Sequence, residues 1–349
     1  MAARRLPKFP PHSGFHASLR AAVEAEVAAI ERPRDAWAMY VKIAVLVGCT
    51  VACYAAYLSI TSPIVMLFAL PLGVLLASIG FNVGHDGGHE SLSRSRFINR
   101  CAAFSFDVLG GSSYVWRWKH NLYHHSYPNI GGVDNDIELE PIGRFAPFQR
   151  WRWIHRYQHI YLWPLYAMVM IRWHFIDDVR DLLRGRIGEM PLPRPHGADL
   201  LLFLAGKIAF FALAFVIPSL VHGIAFALAF YVVASLTLGI TLSIVFQLAH
   251  CVEETAFYAG EAPDEWAVHQ IATTVDFAPR SRFLHWCLGG LNFQIEHHLF
   301  PRLSHVHYPR IAPIIQRICA ERGVPYRVHD TFRAALRSHY RLLQANGRQ

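Results

Sequence analysis

No aspartate, glutamate, lysine or arginine occurs between Ile43 and Gly84, and none occurs between Ile208 and Ala249. Each stretch is 42 residues long. Buried helices of water-soluble proteins keep a polar stripe, so uncharged runs of this length exclude an ordinary soluble core. One crossing of the hydrocarbon layer takes roughly 20 apolar residues, and each run therefore holds two crossings joined by a tight turn. Ser62-Pro63 breaks the first run, and Pro218 with His222-Gly223 breaks the second. The expected spans are about 40–60, 64–84, 200–219 and 224–249.

Other absences narrow the setting. The six cysteines, at 49, 53, 101, 251, 287 and 319, form no CxxC pair, which predicts inert thiols in a reduced compartment. The first 36 residues lack an apolar stretch of signal-peptide type, so no cleaved leader is expected, and Ala17 to Glu31 reads as a short helix. No internal repeat is present beyond the hairpin of spans used twice, and no low-complexity tract. All 33 lysines and arginines lie outside the two uncharged runs, so the short turns face outward and both termini and every charged segment are expected in the cytoplasm. All nine tryptophans also lie outside the runs, as expected of rings that prefer the headgroup level. A net charge of +8 then points to anionic headgroups as the surface partner, and no nucleic acid is expected. Between Trp151 and Arg194, where Tyr161 to Ile171 is apolar but too short to cross, the reading is helices in the interface before a proline-rich linker at 191–195.

What the chain has is histidine, 21 in all. Seven fall in three compact groups: His85 and His89 in GHDGGHES, His120, His124 and His125 in HNLYHH, and His297 and His298 in QIEHH. Residues four apart on a helix point the same way, so His85 with His89, and His120 with His124, are each placed to grip one ion, with His125 turned toward a neighbour. Gln294, His297 and His298 stand at i, i+3 and i+4 and share a face. His250 ends the fourth span, and the topology brings all these groups to one depth beneath the membrane. A lone HxxxH is more often a pair of hydrogen-bonded side chains than a site, but three such groups on one membrane face are not explained that way. Eight imidazoles exceed the four ligands of a structural zinc or the three of a catalytic one, so two ions are implied. Nitrogen-rich sites with open positions suit iron, copper or zinc.

HDGGH at 85–89, HNLYHH at 120–125 and GGLNFQIEHHLFP at 289–301 resemble the three histidine boxes of the membrane fatty acid desaturase family, in order and at similar spacing, across about residues 60 to 325. The resemblance implies an all-α integral membrane fold of four transmembrane helices with a cytoplasmic helical cap holding the metal site. It also implies a cytoplasmic segment 1–36, a desaturase domain 37–325 and a cytoplasmic tail 326–349. In that family the boxes bind two non-haem irons with dioxygen as co-substrate, and His250 matches a further ligand. Gln294, where other members have the first histidine of the third box, resembles the front-end acyl desaturases, with a role as ligand directly or through a held water. Many front-end enzymes carry a fused haem domain with a His-Pro-Gly-Gly motif. That motif is absent here, so electrons are expected from a separate ferredoxin or b-type cytochrome with its reductase.

The chemistry demands such a centre. An alkyl methylene has neither an acidic proton nor a leaving group, so acid-base side chains cannot open its C–H bond. Reducing dioxygen to two waters takes four electrons, two from the fatty acyl substrate and two from the donor, while the spans supply apolar walls that aim one carbon. Asp86, Asn292, Asp134 and Asp136 are the expected hydrogen-bond supports of the ligands. His155 and His159, and likewise His285, His305 and His307, read as structural. Hydroxylation of a lipid or alkane by the same type of centre is the alternative activity. A membrane metal transporter is the remaining reading, disfavoured because His222 alone lies well away from the cytoplasmic ends of the spans.

Overall fold

A computed structural model describes residues 6–11 and 13–348. Among the described residues four helices are long and apolar enough to cross a membrane: α2 (Trp37–Ser59), α3 (Pro63–Gly88), α7 (Ala198–His222) and α8 (Ile224–His250). At 23 to 27 residues each and about 1.5 Å of rise per residue, all exceed the roughly 30 Å hydrocarbon thickness. Each begins or ends within a few residues of its expected bounds, with two informative differences. α7 runs through Pro218, whose ring falls in the first turn of a new helical segment, and the chain reverses only at Gly223. There φ is 80° and ψ 154°, a conformation open to glycine alone at little cost. α3 does not stop before the first histidine group but runs into it, so His85 belongs to the spanning helix and His89 caps its end.

The spans form two hairpins with unequal roles. In the most apolar windows of α3 and α8, 44% of residues are buried, against 17% in α2 and 11% in α7, so α3 and α8 are central and the other two present their apolar faces outward. α3 packs on α8 through Gly73, where an added Cβ would lie 2.6 Å from Thr237 and the Ala234 carbonyl. The inner half of α8 packs on α6 (Gln158–Arg172), with Gly239 laid against the Ala167 carbonyl and Ser243 donating to Tyr166 O. The segment expected to lie in the interface is thus anchored along a span, while Ile160, Met168, Ile176 and Leu183 leave an exposed apolar face.

Everything else gathers at the end of the spans where α3 and α8 finish. α1 (Phe15–Ala28), close to its expected place, packs on α9 (Trp266–Ala272) and α11 (Tyr308–Arg322) in a core containing Leu19, Ile271, Ile295 and Ile315. α12 (Phe332–Asn346) docks on α6 and α8, with His339 bonded to Tyr166 and to Cys251 O. The residues after 325 are therefore an integrated part of the fold. Three helices complete the frame of the site, α4 (Arg96–Ala103), α5 (Arg117–His124) and α10 (Gln294–Leu299). Among the described residues strand is limited to two pairs of two residues, Arg186–Ile187 antiparallel to Met190–Pro191 and Asp276–Phe277 parallel to Val328–His329. All six cysteines are free.

With these four helices as spans, two hairpins put residues 13–36, 89–197 and 251–348 on one side of a membrane. Tags at Gly132 and at the C-terminus are expected to share one accessibility to a membrane-impermeant reagent, and tags at Thr61 and His222 the opposite one. Labelling of Gly132 together with Thr61 would contradict the four-span path.

Candidate metal centre

The eight histidines converge, in two adjoining groups. His85, His89, His120, His125 and His297 bring one ring nitrogen each within 4.8 Å of one another, and His124, His250 and His298 do the same. All eight are buried. The expectation that His120 and His124 serve one ion is met by a third, smaller group of those two with Asp136, while each of the two also falls in a different all-histidine group. The Arg117–His124 segment is wound as a π-helix, with the His125 amide donating to His120 O, so the residue five places on comes beneath His120 together with the residue four places on, their rings 4.7 and 5.1 Å from that of His120. His120 and His125 Nε2 lie 3.1 Å apart, while His124 turns to His250 and His298, at ring separations of 4.5 and 5.0 Å. His120 and His124 remain within reach of each other, with Asp136, so the two groups abut. The adjacent pair His297 and His298 divides between them as well.

Glycines set the first box. A Cβ at Gly87 would meet Asn99 O and Ala103 N at 2.6–2.7 Å, and one at Gly88 would lie 2.1 Å from the Trp116 ring. Trp116 in turn stacks on His120 at 4.4 Å, and Asn121 Nδ2 donates to Gly88 O at 2.8 Å, tying the second box to the first. The third box is fixed where Ile295 N donates to Asp276 Oδ1 at 3.0 Å and the Tyr326 hydroxyl spans Asp276 and Glu296.

Hydrogen bonds at the outer ring nitrogens determine which nitrogens face inward. His124 Nδ1 donates to Asp134 Oδ2 at 3.1 Å, with Asp136 at 3.6 Å. His250 Nδ1 donates to Thr273 O at 3.1 Å and His298 Nδ1 to Gln270 Oε1 at 2.9 Å. A ring that donates from Nδ1 and is neutral keeps its lone pair on Nε2. In the five-histidine group His297 Nδ1 meets the Tyr308 hydroxyl at 3.2 Å. His85 is backed at 3.8 Å by Asp86, which accepts from His305 Nδ1 at 2.8 Å. His305 Nε2 faces Lys42 Nζ at 2.9 Å, a buried lysine one turn inside the first span. Asp134 is itself oriented by the Asn129 and Asp136 amides, and Asp136 pairs with Lys119 at 2.7 Å. Asn292 reaches none of the eight rings; it bonds His285 and Ala278 O. His155 bonds backbone at Pro141 and Arg152, and His307 faces Arg32 O.

Gln270, Thr273, Tyr308 and Lys42 are the functional neighbours that sequence reading misses. The first three carry no spacing signal. Lys42 does: it is the one charge inside the first spanning helix.

The chemistry of the donor set fits metal. Nε2 of His85, His89, His124, His297 and His298, together with Nδ1 of His125, is buried and without a hydrogen-bond partner. Unpartnered buried nitrogens at this density are costly unless a cation takes their lone pairs. Burial first, then the neighbouring rings, hold His89, His120, His125 and His297 well below the ordinary imidazole value. Such rings are neutral, as ligands must be. Burial works the same way on His124, but the Asp134 carboxylate outweighs it and the ring ends above the ordinary value. Gln294 belongs to the smaller group: its Nε2 lies 3.0 Å from His250 Nε2, and its Oε1 is buried without a partner. Beside His85 a narrow cavity is lined by apolar side chains including Phe81, Phe106, Leu242 and Phe246.

Residues 61–330 match the family model for fatty acid desaturases, and the chain belongs to that family. It is 36% identical over 340 residues to an sn-1 linoleoyl-lipid 6-desaturase of Arthrospira platensis, covering 95% of this chain and 92% of that one. It is also 36% identical to a protein of the same description from Synechocystis sp., over 98% of both chains. To an acyl-lipid (8-3)-desaturase of Physcomitrium patens it is 39% identical over 87% of this chain and 65% of the relative.

Because the two groups share no histidine, loss of one is expected to leave the other able to load: His298→Ala and His89→Ala should each lower metal per chain, and the double variant should lower it further. A double variant no lower than either single one would contradict two separable groups.

Proposed function

We propose that this protein introduces a carbon-carbon double bond into a fatty acyl chain borne on a membrane lipid, at two iron ions held by the eight histidines. The observation that carries the reading is the convergence of eight buried imidazoles, split five and three, beside an apolar cavity that reaches His85. Iron, unlike zinc, supplies the redox chemistry with which dioxygen can be used to remove two hydrogens from an alkyl chain. His85, His89, His120, His125 and His297 would hold one ion, and His124, His250 and His298, with Gln294 beside them, the other. Asp86, Asp134, Gln270 and Thr273 O orient the rings. The surrounding apolar walls exclude water and hold the acyl chain near His85. Electrons come from a separate donor, a ferredoxin or a b-type cytochrome with its reductase.

Two features support front-end regiochemistry, with the new bond between an existing one and the carboxyl end. Gln294 stands in the third box, and relatives are described as 6- and (8-3)-desaturases acting on acyl lipids. The distribution of lysine and arginine supports a cytoplasmic site and cytoplasmic termini. The catalytic unit is read as 37–325, flanked by a cytoplasmic segment 1–36 and a C-terminal segment 326–349 that docks on it.

Expression in a host of simple lipid composition, fed defined unsaturated fatty acids, is expected to yield a lipid-bound product with one added double bond on the carboxyl side, located by mass spectrometry. An oxygenated product of unchanged unsaturation would assign hydroxylation instead. Gln294→Ala is expected to keep most of the iron, since eight imidazoles remain, while turnover falls roughly 10- to 100-fold, the usual scale for losing a group that supports a ligand. Iron loss equal to that of His298→Ala would make Gln294 a direct ligand, and unchanged iron, yield and bond position would remove it from the site.

A further inference from the structure

α3 contains five glycines, at 73, 80, 84, 87 and 88. Four are explained by packing: an added Cβ would meet another atom at 2.6 Å at Gly73, 2.9 Å at Gly84, 2.6 Å at Gly87 and 2.1 Å at Gly88. Gly80 is different. It is buried, yet an added Cβ would find nothing closer than Leu242 and Phe106, both at 3.9 Å, an ordinary contact distance. Its backbone gives no reason for glycine either, since φ is −52° and ψ −51°, right-handed helical values open to any residue. Glycine in a helix interior is unfavourable relative to alanine, so neither packing nor conformation accounts for Gly80.

The space it leaves does. Gly80 lines the apolar cavity together with Leu76, Phe106, Leu238, Leu242 and His85. Gly80–Gly84 is a π-helical turn in which the His85 amide donates to Gly80 O, so Gly80 sits one turn before His85 on the same face. The cavity has a volume of about 30 Å³, where a single water needs roughly 10–15 Å³ by the same measure. A methyl group added to its wall therefore changes it substantially.

We infer that Gly80 is a specificity-determining residue, whose missing side chain forms the passage by which a fatty acyl chain runs beside His85. This rests on the desaturase reading for the identity of the occupant. Side chains at position 80 obstruct the chain in proportion to their size without disturbing the histidines.

The test uses the full-length, iron-loaded chain in lipid nanodiscs, with Gly80→Ala, Gly80→Leu and, as a packing control, Gly84→Ala. Gly80→Ala should keep wild-type iron and melt no lower than wild type, while product yield falls by roughly tenfold, the scale for one methylene in an apolar pocket. Gly80→Leu should abolish product with iron retained, and Gly84→Ala should lose iron and stability together. A phosphatidylcholine carrying a diazirine along one acyl chain gives a readout independent of turnover: it should label peptides around 76–85 and 238–246 in wild type and not in Gly80→Leu. Wild-type yield in Gly80→Leu, or iron loss in step with product loss in Gly80→Ala, would overturn the inference. If wild-type protein forms no double bond yet is labelled in the cavity, the desaturase reading fails and the acyl passage stands; if it forms one but is not labelled there, the passage alone fails.

Discussion

Desolvated imidazole is the constraint on which the rest of the structure depends. Eight rings are withdrawn from water at the end of two membrane hairpins, and seven of their nitrogens, both of His85 among them, are left without a hydrogen bond. A buried polar atom left unpaired costs about 1–3 kcal/mol, so the arrangement is tenable as a fold only because the same lone pairs can be taken up by cations. Hydrogen bonds to Asp134, Thr273 and Gln270 add a direction to that requirement by placing the protons of the three-histidine group on the outside. The architecture can be traced back from there. α3 and α8 carry ligands at their ends and are the central helices, while α2 and α7 carry none and face outward.

Much of this is legible in the residues. Two uncharged runs give four spans, and the spacing of HDGGH, HNLYHH and QIEHH names all seven box histidines, with His250 added from its place at the end of the fourth span. What the spacing cannot give is the winding of the helix. Pairing His120 with His124 alone assumes 3.6 residues per turn, and the π-helical turns of Arg117–His124 bring His125 to His120 as well. Nor does a pattern within one segment reveal contacts made across the chain. Lys42 reaches His305, and His124 reaches His250, only because separate elements meet. Asn292 illustrates the reverse, since it is close in sequence to the third box yet bonds away from every ligand ring.

Glycine in this chain carries more information than its frequency implies. The pair inside HDGGH is fixed by neighbours, one by the backbone around Asn99 and Ala103 and the other by the Trp116 indole. These residues secure the ligands indirectly, because Trp116 stacks on His120 and any displacement of the indole passes to that ring. Substitution there would act through shape and not through loss of a donor atom.

The division of His124 from His125, and of His297 from His298, has a consequence for how the centre responds to strain. In both pairs a single peptide unit separates a residue of one group from a residue of the other. The spacing between the groups is therefore gauged by covalent geometry, which does not yield to thermal loosening as helix packing does. Were the spans to tilt or part, the two halves of the centre would travel together like points marked on one ruler.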